Sequence, residues 1–331
     1  MLSRVADSIY WLNRYMERAE NYARFIDANM NLTLDLPAGM PEQWQPLVFA
    51  TGDRDLYLEN YGDFDKNSVL RFLIEDKRNP SSIYSCLHRA RENARGIRDW
   101  LSLDTWEHIN DHFMEIRSAM DNIDPILRDP LPFTNTVRKA CLFFFGLADT
   151  TVSHSEGWHF GHLGRLVERA DKTSRLLDVK YFILLPKADD VGGSFDLLQW
   201  SSVLKSASAY EMFHRRFDRI SPRHIAEFLI LDNEFPRAVR FCMEHAEESL
   251  RKISGRSSRG FTNPAEKALG RFRSQLDYTD IKDIFNQGLH EFLDLLQSRM
   301  NEIDVALHET FFQLDDGVQE QLQGGSSQFS L

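Results

Sequence analysis

The residues able to do chemistry in this chain come as two matched sets. Residues 12–27 read LNRYMERAENYARFID and residues 163–178 read LGRLVERADKTSRLLD. At an offset of 151, 7 of the 16 positions are identical, where roughly one match is expected by chance at average residue frequencies. The identities include Arg14/Arg165, Glu17/Glu168, Arg18/Arg169, Arg24/Arg175 and Asp27/Asp178, and Glu20/Asp171 keeps its charge. A guanidinium is permanently cationic and grips carboxylate or phosphate through two parallel hydrogen bonds. A nearby glutamate can orient that fork or move a proton. Arg14, Arg18, Arg24, Arg165, Arg169 and Arg175 are therefore candidate ligand-binding residues, and Glu17 and Glu168 are candidate catalytic residues.

Placed on a helix at about 100° per residue, Leu12, Tyr15, Met16, Ala19, Tyr22, Ala23 and Ile26 fall on one side. Arg14, Glu17, Arg18, Asn21 and Arg24 fall on the other, with Glu17 three residues from Arg14 and so within reach of it. The second copy repeats this division. Three readings follow. The charged stripe is a solvated face whose ion pairs contribute about 0.3–0.5 kcal/mol each. Or it is a buried network crossing between two packed helices, where breaking a pair costs about 3–5 kcal/mol. Or it lines a pocket for a carboxylate or phosphate.

Other constellations are weaker. Glu156/His159 and Glu211/His214 have the Glu-x-x-His spacing of helical di-metal sites, near His154 and His162, but no pattern selects the remaining ligands. Gly157 disfavours a regular helix at the first pair, so a capped helix entry with Trp158 packing competes there. No metal site or cofactor is assigned. Asp189-Asp190 lacks a second acidic element at helical spacing. The chain has neither a G-x-x-x-x-G-K-[ST] loop nor a G-x-S-x-G elbow. Cys86, Cys141 and Cys242 are too few and too scattered for a disulfide framework. The basic stretch 251–259 reads as a solvated connector or an acidic-partner dock. Trp44, Tyr57 and Tyr61 are candidates for a partner surface.

Helical periodicity dominates the elements that must position these residues. Helices are expected near 3–31, 67–76, 82–100, 104–121, 134–152, 157–184, 195–219, 222–231, 235–253, 264–275 and 279–312. Residues 37–66 read as irregular, 124–132 as a proline break, and 254–263 as a loop. No strand alternation appears. The fold class is all-α, a bundle of about 10–12 helices with an internally duplicated, pseudo-symmetric arrangement. One domain over 1–312 is expected, with repeats at about 1–150 and 154–312 and a disordered tail over 313–331. The net charge of −11 argues against broad nucleic-acid binding. Without an apolar signal segment at residues 1–7 or a run of about 18 apolar residues, the expected location is cytoplasmic, with no membrane association.

The order of motifs resembles the bacterial alpha-E family. The resemblance runs through Leu2-Ser3-Arg4-Val5-Ala6, Tyr10-Trp11, Arg14-Tyr15-Met16-Glu17-Arg18-Ala19-Glu20-Asn21 and Arg91-Glu92-Asn93-Ala94-Arg95. It continues through Gly157-Trp158, Leu163-Gly164-Arg165, Glu168-Arg169-Ala170-Asp171 and Phe228-Leu229-Ile230-Leu231-Asp232, ending at Phe235-Pro236-Arg237-Ala238-Val239. It implies a helical domain whose Glu-Arg motifs are Glu17-Arg18 and Glu168-Arg169. It further implies a circularly permuted ATP-grasp partner acting in trans, with a transglutaminase-like protein as a second partner. The implied function is an accessory or catalytic part in a system that forms or modifies peptide or amide bonds. A non-catalytic helical scaffold and a helical metalloenzyme are the alternatives.

Overall fold

The computed structural model describes residues 1–34, 42–182, 193–255 and 260–313. Among these residues are sixteen α-helices and no strand. The first eight are α1 (Ser3–Leu34), α2 (Gln45–Thr51), α3 (Arg54–Asn60), α4 (Lys66–Ile74), α5 (Ile83–Gly96), α6 (Leu103–Met120), α7 (Asp124–Arg128) and α8 (Leu131–Thr151). The remainder are α9 (Glu156–Phe182), α10 (Ser194–Ser206), α11 (Tyr210–Arg216), α12 (Pro222–Ala226), α13 (Val239–Ile253), α14 (Pro264–Asp277), α15 (Ile281–Gln287) and α16 (Leu289–Leu307). None is long and apolar enough to cross a membrane.

The all-α expectation holds, but the helices are more numerous than expected. The stretch 195–219 splits into α10 and α11 where Ser208 takes φ 49°. The stretch 279–312 splits at Gly288, where φ is 105°. A residue with positive φ cannot continue a right-handed helix. The proline break at 124–132 contains α7, because Pro125 sits in a first turn that needs no N–H from it. The segment expected to be irregular holds α2 and α3. Trp44 and Tyr57 from that segment are buried. Tyr61 stacks on Tyr57 with centroids 5.0 Å apart and donates to Asp76. Tyr57 and Trp44 are therefore core, not partner surface. Residues 183–192, 256–259 and 314–331, which include Asp189-Asp190, part of the basic stretch and most of the tail, lie outside the described residues.

Helices α1 and α9 form the centre. Besides each other, α1 touches α5, α8 and α10, and α9 touches α13, α16 and α2. Both are therefore covered on more than one side. The charged stripe of α1 is not a solvated face: Arg14, Glu17, Asn21 and Arg24 are buried, as the cross-helix network reading expects, and so is Glu20. The two helices run in the same sense, with the Met1 amine 3.1 Å from Glu156 at the start of α9 and Glu17 meeting Arg169 further along.

Their close approach rests on glycine. A Cβ at Gly164 would lie 2.6 Å from the Tyr10 carbonyl oxygen, a backbone atom that cannot swing away. Glycine-to-alanine inside a helix normally gains about 1 kcal/mol, whereas overpacking costs about 1–3 kcal/mol. Gly164→Ala is expected to lower the unfolding free energy by about 1–2 kcal/mol. Urea denaturation measures this, and a more stable variant would show that α1 and α9 do not touch here.

Candidate functional site

The two Glu-Arg steps exchange partners across the α1–α9 interface. Arg18 grips Glu168 with Nε 2.6 Å from Oε1 and Nη2 2.9 Å from Oε2. Arg169 grips Glu17 in the same way, with Nε and Nη2 each 2.8 Å from a carboxylate oxygen. Arg14 adds a bond from its Nε to Glu168 Oε2 at 2.8 Å. It also pairs with Asp304 of α16, which accepts from the Tyr10 hydroxyl at 2.6 Å. Arg14 thus turns away from Glu17, its neighbour on the same helix. Both glutamates are wholly buried, and all four of their oxygens accept hydrogen bonds.

A fourth arginine enters from outside the two matched 16-residue segments. After α12 the chain makes a wide π-type turn over Glu227–Leu231. Asp232 then fixes the following loop by accepting from the backbone N–H groups of Glu234 and Phe235 at 2.8 and 2.7 Å. This delivers Arg237 to the core, where it donates to Glu20 at 2.6 Å, Asn21 at 3.2 Å and Glu17 at 3.3 Å. Arg24 holds the other Glu20 oxygen from Nε at 2.6 Å and also donates to Ser208. Repeat matching misses Arg237. Its traces in the sequence are a lone charge inside the apolar run Phe235-Pro236-Arg237-Ala238-Val239 and the place of that run in the family resemblance. Tyr10 shows only as part of the Tyr10-Trp11 motif, and Asp304 leaves no trace.

Electrostatics keep Glu168, Glu20 and Asp171 ionised. Burial alone would raise the Glu168 carboxyl, but Arg18, Lys172 and Arg14 outweigh it and hold it well below the usual carboxylate range. Against the same burial, Arg237 and Arg24 hold Glu20 at about 2, and Lys172 and Arg175 hold Asp171 at about 2. A carboxylate this acidic is a poor general base or acid near neutral pH. Glu168 is built to orient arginines rather than to pass protons. The nearby thiols are inert, since burial pushes Cys86 and Cys242 up to about 12.

On one flank of the network lies a polar cleft of about 260 Å³. Arg14, Arg18, Lys172 and Arg175 line it, with Asp171 and Asp304 as its acidic members. Arg175 reaches Asp171 through Nε at 2.9–3.0 Å, and Lys172 lies 2.8 Å from the same carboxylate. The ion pairs form two clusters: Arg14, Arg18, Lys172 and Arg175 with Glu168, Asp171 and Asp304 beside the cleft, and Arg24, Arg169 and Arg237 with Glu17 and Glu20. The surplus of positive charge in the cluster beside the cleft suits a small anion. Of the candidate ligands, Arg14, Arg18 and Arg175 meet at this cleft. Arg24 and Arg169 do not line it, and Arg165 is part of a separate cavity.

The remaining candidates disperse. The aligned aspartates take different partners, Asp27 pairing with Arg138 at 2.6 Å and Asp178 with His290 at 2.6 Å. Glu156 binds the chain's amino terminus and His159 lies 3.4 Å from Ser249, while His214 packs on Tyr210. Neither Glu-x-x-His pair gathers further ligands among the described residues. Among the described residues, the three-ligand group is Asp178, His290 and Asp294, where His290 already forms its hydrogen bond to Asp178. Trp158 stacks between His154 and His162 at 4.0 and 4.6 Å, as the packing reading of that helix entry expects.

Residues 1–312 match the family described as Alpha-E, a predicted alpha-helical domain with a conserved ER motif. The chain belongs to the Alpha-E family. The Glu-Arg steps of this Alpha-E chain are the ones that exchange partners between α1 and α9. It is similar to uncharacterised proteins of Mycobacterium bovis and Mycobacterium tuberculosis, each 21% identical over 343 residues. The match covers 96% of this Alpha-E chain but only 38% of each mycobacterial protein. No solved structure matches it.

Proposed function

We propose that this Alpha-E chain is an accessory or catalytic component of an ATP-grasp-linked system that forms or modifies peptide or amide bonds. In that role it binds a carboxylate- or phosphate-bearing intermediate in the cleft beside the Glu-Arg network. The observation that carries this reading is the set of Arg14, Arg18, Lys172 and Arg175 around one cleft. Glu168 and Asp171 hold these cations in fixed positions, so little further ordering is needed when an anion arrives. An acyl phosphate, the activated form an ATP-grasp enzyme makes from a carboxylate, carries the charge such a cleft accepts. The ATP-grasp partner, and a transglutaminase-like protein with it, act in trans. The greater length of the mycobacterial relatives fits a domain that works beside another.

Calorimetric titration with inorganic phosphate tests the cleft. Saturable binding is expected, weakened at least tenfold in Arg175→Gln. Asn301→Asp places a negative charge at the exposed rim and should weaken binding several-fold with an unchanged melting temperature. No saturation, or wild-type binding by both variants, would refute it. A second reading, a non-catalytic scaffold for the ATP-grasp protein, draws on the saturation of every Glu17 and Glu168 oxygen. It expects no phosphate binding, with capture of the partner intact.

A further inference from the structure

A second cavity of about 340 Å³ opens where the start of α9 meets α1, the end of α8 and the turn after α5. Its volume sits at the small end of the range for small-molecule sites. It shares no lining residue with the polar cleft. Its walls are apolar at Ile9, Leu12, Phe144, Trp100 and Trp158, and its charged members are Arg165, Asp149 and Asp99.

Arg165 differs from the other arginines of the duplicated motif. Arg18 and Arg169 each hold a carboxylate through two hydrogen bonds, and Arg24 and Arg175 each hold one at hydrogen-bond distance. Arg165 lies over the Phe145 ring at 5.0 Å and comes only to 3.6 Å from Asp149. Its Nε is buried without a hydrogen-bond partner. The Arg165 side chain is mostly buried, and the loose pair with Asp149 offsets its desolvation cost only in part. His162 does not share the cationic role. Burial, with Arg165 and Arg169 nearby, pushes it down to about 3, so near neutral pH it is an uncharged ring held by Ser249 at 2.9 Å.

The lining therefore presents one under-used guanidinium and two carboxylates beside aromatic walls. A simple anion would satisfy Arg165 but face Asp149 and Asp99. A simple cation would satisfy the aspartates and face Arg165. A zwitterion satisfies both. We propose that this cavity binds a free α-amino acid with an apolar side chain, its carboxylate on Arg165, its ammonium on Asp149 and its side chain against Trp100 and Trp158. The proposal does not depend on the role assigned to the polar cleft.

Tryptophan emission and calorimetry test it on the full chain with L-phenylalanine, L-leucine and L-tryptophan as probes, the last by calorimetry alone. At least one is expected to bind saturably. For L-phenylalanine, the half-molecules 3-phenylpropanoate and phenethylamine should each bind at least tenfold more weakly, because each leaves one charge of the site unmet. Arg165→Met and Asp149→Asn should each weaken amino-acid binding at least tenfold. Thr151→Phe, which plugs the exposed mouth without touching a buried charge, should do the same and keeps the test valid if Arg165→Met fails to fold. Inorganic phosphate, the probe of the cleft, should not compete. The proposal is overturned if no amino acid saturates by about 10 mM, if a half-molecule binds as tightly as its parent, or if Thr151→Phe binds like the wild type.

Discussion

Glu168→Ala is expected to be about 3–5 kcal/mol less stable than the wild type. The substitution removes the carboxylate that Arg14, Arg18 and Lys172 share. Three largely buried cations are left with less compensation. Glu17→Ala should behave similarly, because Arg169 and Arg237 converge on it. A domain with a total stability of about 5–15 kcal/mol loses a large part of it through either change. Arg18→Lys and Arg169→Lys should cost less, about 1.5–3 kcal/mol, since the charge survives while the second parallel hydrogen bond is lost. Urea unfolding of the four variants gives the ranking. A loss below about 1 kcal/mol for Glu168→Ala would mean that the ion pairs are solvated in solution.

Acidification is expected to unfold the chain steeply. Glu20 and Asp171 are held at about 2 in the fold, from ordinary values of 4.5 and 3.8, and Glu168 lies well below 4.5. A depressed folded value means that the unfolded chain takes these protons first. The stabilisation is complete above the unfolded values and disappears as pH falls through the folded ones. Between pH 3.8 and about 2 the unfolded state binds up to three more protons at these sites, a slope of about 4 kcal/mol per pH unit. His112 and His162, pushed by burial from 6.5 to about 4 and about 3, act with the same sign and start the loss near pH 6.5. Asp7 and Asp178, raised by burial, and His290, raised by Asp178 despite burial, oppose it. The full slope is therefore reached only at the acid end. Urea midpoints should fall progressively below pH 6.5, with unfolding complete before pH 2. A chain that keeps its helical circular dichroism at pH 2 would contradict the buried-network geometry.

Much of the architecture is legible from local patterns. The α1 and α9 spans follow from apolar spacing and from the proline and glycine beyond them. Ser82 caps α5 as its position suggests, accepting from the Ser85 N–H at 3.2 Å. The breaks at Ser208 and Gly288 are harder to read, because a single residue of positive φ interrupts an otherwise helical pattern without changing it. The faces of α1 are harder still. Division into an apolar and a polar side does not say whether the polar side meets water or a neighbouring helix. For a helix wrapped by α5, α8, α9 and α10 it meets neighbours.

For the site, residue types and their 151-residue recurrence already mark Arg14, Glu17, Arg18, Glu168 and Arg169 as acting together, because matched charges persist where helical periodicity alone does not require them. Their partners are a property of the packed structure. Within one helix, Arg14 could reach Glu17 at i+3; in the fold it reaches Glu168 and Asp304 instead. A guanidinium engages both oxygens of a carboxylate only when the two groups meet nearly in plane. For Arg18 and Arg169 the facing helix provides that approach. Arg237 and Asp304 join from segments 220 and 290 positions away from their partners Glu17 and Arg14, a distance over which only the packing of the whole chain selects a contact.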